Sequence, residues 1–229
     1  MAHTHMLKLE RRQPQEAYSV HRGRLTFAQS WMAHPLRVGA VAPSSRRLAR
    51  LIASEITPAS APVLELGPGT GVFTRSLLGR GLREDQLILV ECDPRFACLL
   101  EHDYPDAWVV QVDAARLSRL NIVDGEPLGA VVSGLPLLSM SMRSRIAILQ
   151  FAFRYLRPEA SFYQFTYGLR CPVPRLVLER LGLKAARLGS TWLNTPPATV
   201  CRIRARRKPQ LQVAGSAAET DLVVQQFVR

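Results

Sequence analysis

The segment that most constrains the fold is residues 62–71, which read P-V-L-E-L-G-P-G-T-G. A short apolar run of this kind is typical of a strand that is buried on both faces of a parallel sheet. The glycines that follow at alternate positions, Gly67, Gly69 and Gly71, let the backbone turn sharply and approach a ligand closely. Residues 72–79 then read as the start of a helix. A strand, a glycine loop and a helix N-terminus together predict a nucleotide-type binding corner.

Two acidic residues sharpen this prediction. Glu65 stands before the glycine loop, and Glu91 follows a second predicted strand over residues 86–90. In doubly wound nucleotide-binding folds, an acidic residue at about this distance from the loop accepts hydrogen bonds from ribose hydroxyls. The spacing E-x-G-x-G-x-G differs from the dinucleotide pattern G-x-G-x-x-G. An ordinary tight turn between a strand and a helix is the alternative interpretation.

The same segment resembles the first motif of class I S-adenosylmethionine-dependent methyltransferases. The resemblance implies that the glycine loop holds the methionine moiety and that Glu91 holds the ribose. It also implies that Asp113, at the end of a third predicted strand, bonds the adenine amino group. The predicted cofactor site comprises Glu65, Gly67, Gly69, Gly71, Glu91, Cys92, Asp113, Ala114 and Ser133.

Strand and helix patterns alternate along the rest of the chain. Further strands are predicted at 107–112, 130–133, 161–167, 183–193 and 198–205, and helices at 95–102, 143–156 and 173–181. Such an order implies a central, mostly parallel sheet with helices on both faces. With the resemblance, we expect a class I methyltransferase, Rossmann-like α/β fold with seven strands and an N-terminal helical extension. The expected boundaries are 1–57 for the extension, 58–208 for the methyltransferase domain and 209–229 for a mobile tail.

Residues 16–34 are predicted to form an amphipathic helix, in which large apolar side chains share half of the helical wheel. It is either an interfacial membrane helix or a packing helix, and the pattern favours neither. A second helix is predicted at 46–56, with Ser44 or Ser45 as its N-cap. Near the other end of the chain, arginines alternate along the last strand and are predicted to form a solvated face: Arg202, Arg204 and Arg206.

The net charge of +12 suits a partner with negative charge, either nucleic acid or an anionic membrane surface. An arginine-rich genome composition is the alternative source of this charge. The sequence has no run of eighteen apolar residues and no apolar core of a secretory signal, so we expect a cytoplasmic protein without a spanning helix. The four cysteines show no metal-ligand spacing. They predict reduced thiols and no metal site.

The fourth strand ends in S-G-L-P-L, residues 133–137, beside the predicted cofactor loop. N-methyltransferases that act on nucleic-acid bases usually carry an Asn or Asp, a proline and an aromatic residue here. Ser133 replaces the amide, and Leu137 replaces the aromatic. Backbone carbonyls can still bind an amine, but the stacking platform that a flipped base needs is missing.

Five stretches together resemble the bacterial phospholipid N-methyltransferases related to rRNA adenine dimethylases. They are residues 38–45, 63–72, 131–138, 164–168 and 194–198. The resemblance implies successive methylation of the amine of phosphatidylethanolamine toward phosphatidylcholine, with S-adenosylmethionine as the cofactor. It implies a phospholipid substrate, an anionic membrane surface as partner, and a place at the cytoplasmic face of the inner membrane. Nucleic acid is not an expected partner.

The acceptor amine must lose a proton before it attacks, since a free alkyl amine titrates near pH ~10. Ser133, Tyr18 and Tyr167 are candidates to accept or relay this proton, and Gly134 completes the predicted catalytic set. The predicted substrate contacts are Tyr18, Arg22, Trp31, Arg37, Leu135, Pro136 and Asn194, with Arg22 or Arg37 as the partner of the lipid phosphate. Two alternatives stay open: an RNA or DNA adenine-N6 methyltransferase, and a non-catalytic binding protein on a degenerate methyltransferase fold.

Overall fold

A computed structural model describes residues 43–206, except residues 121, 124, 169 and 192–196. For residues 43–45 it describes only the backbone. Several predictions of the sequence fall outside these residues. They are the helix at 16–34, the tail at 209–229, and the site residues Tyr18, Arg22, Trp31, Arg37 and Asn194.

The described part of the chain forms one seven-stranded sheet in the order β3-β2-β1-β4-β5-β7-β6. The strands are β1 (Val63–Leu66), β2 (Leu87–Glu91), β3 (Trp108–Gln111), β4 (Leu128–Ser133), β5 (Leu156–Tyr167), β6 (Leu183–Thr191) and β7 (Ala198–Ala205). Strands β1 to β5 pair in parallel, whereas β7 is antiparallel to both β5 and β6. The predicted seven-stranded, mostly parallel sheet is confirmed.

Helices cover both faces of this sheet, as predicted. The helices are α1 (Pro43–Ile52), α2 (Val72–Leu78), α3 (Pro94–Asp103), α4 (Met142–Tyr155) and α5 (Arg175–Arg180). Short 3-10 helices occur at Pro58–Ser60, Glu84–Gln86, Ala114–Arg119 and Leu137–Ser139. Buried side chains of α1, α2 and α3 form a core on one face, and those of Ala114–Arg119, α4 and α5 form a core on the other. We call these the α1 face and the α4 face.

The boundaries of α1 and β5 differ most from the prediction. Helix α1 already includes Ser44 and Ser45, so neither serine is its N-cap, and it ends at Ile52. Strand β5 begins at Leu156, directly after α4, rather than at residue 161. Pairing of Leu156 with β4 extends the strand, and the Arg157 guanidinium donates to the carbonyls of Ala59 and Ala61, at 3.2 and 2.7 Å.

The predicted solvated arginine face on β7 was wrong for Arg202 and Arg204, which are partly buried, whereas Arg206 is exposed. Arg202 forms a salt bridge with Glu55 at 2.5 Å, and Arg204 donates to Ser161 Oγ at 2.7 Å. Arg206 follows the strand and donates to the Leu183 carbonyl at 3.0 Å. These side chains tie β7 to neighbouring elements, because an arginine whose stem lies along a sheet can reach acceptors at its border.

No helix in the described part of the chain is long and apolar enough to cross a bilayer.

Candidate active site

Two loops meet at the carboxyl edge of the parallel strands. The glycine loop, residues 67–71, follows β1, and the acceptor loop, residues 134–137, follows β4. Gly67 N–H donates to the Val90 carbonyl and Gly134 N–H to the Leu66 carbonyl, each at 2.8 Å. These bonds continue the sheet ladder beyond the strand ends and set the two loops side by side. In open α/β sheets, ligands bind at this edge.

The glycine loop has a conformation that favours glycine. Gly67 and Gly71 have φ angles of 67° and 74°, in the left-handed region. A Cβ at Gly67 would lie 2.7 Å from Leu135 Cδ2, and one at Gly71 would lie 2.7 Å from the Tyr104 hydroxyl. A side chain at either position would therefore require its neighbour to shift and would strain the backbone. The close approach of Leu135 also places the two loops within contact distance.

Glu91, at the end of β2, holds the glycine loop through its carboxylate. Its Oε2 accepts from the Gly69 N–H at 3.0 Å, and its Oε1 accepts from the N–H groups of Cys92 and Asp93, at 2.8 and 3.0 Å. The sequence pattern did not indicate these backbone bonds. Contact between Glu91 and a ribose stays a prediction.

Glu65, the third residue of β1, is fully buried on the α1 face. Its Oε2 accepts from Thr74 Oγ at 2.7 Å, and its Oε1 has no partner among the described residues. Burial raises the pKa of this carboxyl to about 7, because the charged form loses hydration. Glu65 therefore changes its charge near neutral pH.

Asp113 and Ala114 follow β3, one strand beyond Glu91. The Asp113 carboxylate is at the N-cap of the 3-10 helix Ala114–Arg119 and accepts from the Ala115 N–H at 2.9 Å. Val112 N–H donates to the Glu91 carbonyl at 3.0 Å, which keeps this loop beside the end of β2. Ala114 is buried, and Asp113 is exposed. Their contact with an adenine stays a prediction.

The acceptor loop is built for close backbone packing. Ser133 is buried, and its Oγ accepts weakly from the Leu135 N–H at 3.4 Å. A Cβ at Gly134 would lie 2.5 Å from the Gly67 carbonyl oxygen, so this position also excludes a side chain. Leu137 is only 1% exposed and belongs to the α4-face core, whereas Leu138 is 56% exposed. Leu137 therefore serves as a core residue.

Arg145 of α4 is a structural residue that the sequence analysis missed. Its guanidinium donates to the carbonyls of Leu138, Met140 and Pro172, at 2.8, 3.1 and 3.0 Å. One side chain thus joins the segment after β4 to the segment after β5. The sequence held no signal for this contact, because the acceptors are main-chain carbonyls that any residue type supplies.

Tyr167, a predicted catalytic residue, lies at the end of β5 and packs on the α1 face. Its ring contacts Phe165 edge-on, with centroids 5.4 Å apart. Ser133 points to the opposite face, since Val131 belongs to the α4-face core and side chains alternate along a strand. The structure therefore does not place Tyr167 and Ser133 on one face. Burial raises the pKa of Tyr167, so its phenol is protonated at neutral pH.

Solved structures share this fold. A TehB-like methyltransferase from Corynebacterium glutamicum matches with a TM-score of 0.54 at 19% identity, covering 79% of this chain and 96% of that one. The glycopeptide N-methyltransferase MtfA, solved with S-adenosylmethionine, has a TM-score of 0.51 at 15% identity, with coverage of 70% and 94%. The 23S rRNA methyltransferase ErmE has a TM-score of 0.50 at 25% identity, with coverage of 74% and 71%. The fold and its carboxyl-edge loops define a class I S-adenosylmethionine-dependent methyltransferase.

Sequence comparisons narrow this class. The family model for ribosomal RNA adenine dimethylase matches residues 47–128. The ornithine lipid N-methyltransferase of Singulisphaera acidiphila is 31% identical over 145 residues, which cover 61% of this chain and 76% of that protein. The chain belongs to the same family, the bacterial lipid N-methyltransferases of the rRNA adenine dimethylase-like class.

The residues at the edge fit S-adenosylmethionine. The cofactor carries an ammonium group and ribose hydroxyls, all of which donate hydrogen bonds. Glu65 offers a buried carboxylate oxygen without a partner among the described residues, and a Cβ at Gly69 would meet no atom within 4 Å, so the loop backbone is open to close approach there. Which of these groups contacts which part of the cofactor stays a prediction.

Proposed function

We propose that the protein transfers methyl groups successively from S-adenosylmethionine to the amine of phosphatidylethanolamine, toward phosphatidylcholine, at an anionic membrane surface. The observation that carries this proposal is the acceptor loop. Its Leu137 is buried in the core, so the loop presents no aromatic platform for a base. The name of the ornithine lipid relative adds support for a lipid acceptor.

The cofactor, when bound, supplies a methyl group that its sulfonium has already activated. The protein then has to position a neutral amine against it, which is worth several orders of magnitude in rate. We propose that the Gly134 carbonyl orients this amine and that the apolar side chains of Leu135 and Pro136 surround it. The carbonyls of Leu135, Pro136 and Leu137 already accept hydrogen bonds. Burial against them favours the neutral, nucleophilic form of the amine.

The surface beside the acceptor loop supports a membrane location for the reaction. Leu138 is 56% exposed, and Met142, at the start of α4, is also exposed beside Arg143. Exposed apolar side chains with neighbouring arginines suit the headgroup layer of an anionic bilayer. In this proposal the segment 16–34, with Tyr18, Arg22 and Trp31, anchors the protein and covers the pocket.

The second candidate function is methylation of an RNA adenine. The family-model match and the similarity to ErmE favour it. The matched residues, 47–128, contain the cofactor half of the sheet and end before the acceptor loop at 134–137. The match therefore does not reach the residues that we expect to choose the acceptor.

The test supplies the full-length protein with labelled S-adenosylmethionine and one acceptor at a time. The acceptors are vesicles of phosphatidylethanolamine with anionic lipid, vesicles of ornithine lipid with anionic lipid, and ribosomal RNA. We expect mono-, di- and trimethylated phosphatidylethanolamine. Label in ornithine lipid alone would show that ornithine lipid, and not phosphatidylethanolamine, is the substrate. Label in RNA alone would favour the second candidate function. Cofactor binding without any methyl transfer would indicate a binding protein.

A further inference from the structure

Two buried polar atoms on β5 have no hydrogen-bond partner in the described structure: Gln164 Oε1 and Thr166 Oγ. Gln164 is 0% exposed and Thr166 is 4% exposed. Buried polar groups are nearly always paired, and an unpaired one lowers stability, so two such atoms on one strand require an explanation. Neither residue belongs to the site predicted from the sequence.

The orientation of the Gln164 amide follows from its neighbours. Its Nε2 donates to the carbonyls of Leu135 and Phe165, at 2.9 and 2.6 Å. Carbonyl oxygens only accept hydrogen bonds, so the nitrogen must face them and Oε1 must face away. The unpaired atom is therefore an acceptor, and it requires a donor.

The strand register places both atoms beside the acceptor site. Gln164 pairs with Ser133 across β4 and β5, so these two side chains lie on the same face of the sheet. Thr166 is two residues farther along β5, on the same face and nearer the carboxyl edge. The Leu135 carbonyl that Gln164 binds belongs to the acceptor loop. The unpaired oxygens thus lie next to the residues proposed to bind the amine.

We propose that Gln164 Oε1 and Thr166 Oγ accept hydrogen bonds from the N–H groups of the acceptor amine. This inference rests on the proposed function and specifies how the site recognises its substrate. An amide oxygen attracts an amine and disfavours an anion such as a phosphate, because it can only accept. Since both oxygens are buried, the acceptor loop has to shift when the amine enters.

The chemistry of successive methylation gives this contact a consequence. In each transfer a C–N bond forms as the C–S bond of the sulfonium breaks, and the resulting ammonium releases a proton to solvent before the next transfer. Each step therefore replaces one N–H by a methyl group, and the neutral amine has two N–H groups before the first transfer, one before the second and none before the third. The dimethylated amine can bond to these oxygens only in its protonated form, before it releases the proton and reacts. The trimethylated product has no N–H left and cannot bond to either oxygen. The site thus favours amines that still carry hydrogen and releases the quaternary product.

The cleanest test is Thr166→Val, which removes an unpaired hydroxyl and breaks no side-chain hydrogen bond seen among the described residues. We expect the midpoint of urea unfolding to stay the same or rise. The KM for phosphatidylethanolamine vesicles should rise about tenfold, with S-adenosylmethionine affinity unchanged. Thr166→Ser should restore the KM. Gln164→Leu should raise the KM at least as much, with the additional loss of its bonds to the loop.

Thr191→Val is the matched control. Thr191 also has an unpaired Oγ, but it pairs with Ala198, which pairs with Tyr167 on the α1 face. We expect its KM to equal that of the wild type. If the wild type is active and both Thr166→Val and Gln164→Leu keep its KM, the inference is overturned. A wild type that binds the cofactor but methylates no lipid amine overturns the proposed function, and the inference with it.

Discussion

Replacing Glu65 by glutamine should remove a pH dependence from the stability of the protein. Burial raises the pKa of Glu65 from an ordinary value of 4.5 to about 7. The folded protein therefore keeps a proton between these pH values that the unfolded chain has released. It follows that the contribution of Glu65 is fully present below pH 4.5, falls as the pH rises, and is lost above about pH 7.

The size of this effect follows from the change in pKa. One pKa unit corresponds to about 1.4 kcal/mol, so the rise from 4.5 to about 7 corresponds to roughly 3 kcal/mol of unfolding free energy. The amide oxygen of the introduced glutamine can still accept the hydrogen bond from Thr74, which keeps the local contact. The amide nitrogen of the glutamine takes the place of Glu65 Oε1, which has no hydrogen-bond partner among the described residues. This unpaired nitrogen lowers stability by an amount that does not depend on pH.

The assay is urea unfolding of the cofactor-free wild type and of Glu65→Gln, at intervals from about pH 4.5 to about pH 8, which span the ordinary and raised pKa values. We expect the free energy of unfolding of the wild type, relative to that of the variant, to decrease by about 3 kcal/mol over this range. Other titrating groups contribute equally to both proteins and cancel. A difference that stays constant with pH would refute the reasoning and would show that Glu65 titrates normally.

The remaining predictions concern the cofactor, the loops and the membrane. Glu91→Ala should weaken S-adenosylmethionine binding in calorimetry without unfolding the domain, by about 1.5–3 kcal/mol for each charge-assisted bond at most; unchanged affinity would place the ribose elsewhere. Arg145→Lys should lower kcat/KM for the lipid about tenfold and leave cofactor binding intact, because lysine cannot span three carbonyls. Arg154→Lys, at an exposed position of the same helix, is the control. Equal activity of both variants would contradict the role of Arg145 in joining the two loop segments. Removing residues 1–34 should abolish co-sedimentation with vesicles. Co-sedimentation of the full-length protein should weaken as the salt concentration rises. Equal binding of both forms would mean that this segment does not anchor the protein.

Much of the fold could be predicted from the sequence, because its determinants are local. Strands that are buried on both faces are continuous apolar runs, as in β1 and β2, and the glycines after β1 have few structural alternatives. The positions of Glu65 and Glu91 on adjacent strands follow from this pattern and the parallel order.

Other features depend on contacts between distant parts of the chain. The salt bridge between Arg202 and Glu55 and the bonds of Arg145 to loop carbonyls need the folded arrangement, and no local pattern indicates them. The face of Tyr167 was predictable in principle. Side chains alternate along β5, so Tyr167 lies on the opposite face from Gln164 and Thr166. Which of these two faces carries Ser133 can be decided only from the strand register.

The measurement that tests the central claim most directly is a competition for methyl groups. Full-length protein and labelled S-adenosylmethionine are incubated with phosphatidylethanolamine-containing anionic vesicles and ribosomal RNA in one reaction, and mass spectrometry counts the methyl groups on each acceptor. We predict mono-, di- and trimethylated headgroups, with the RNA unmodified. Methylated adenine in the RNA, with every lipid headgroup unchanged, would contradict the account.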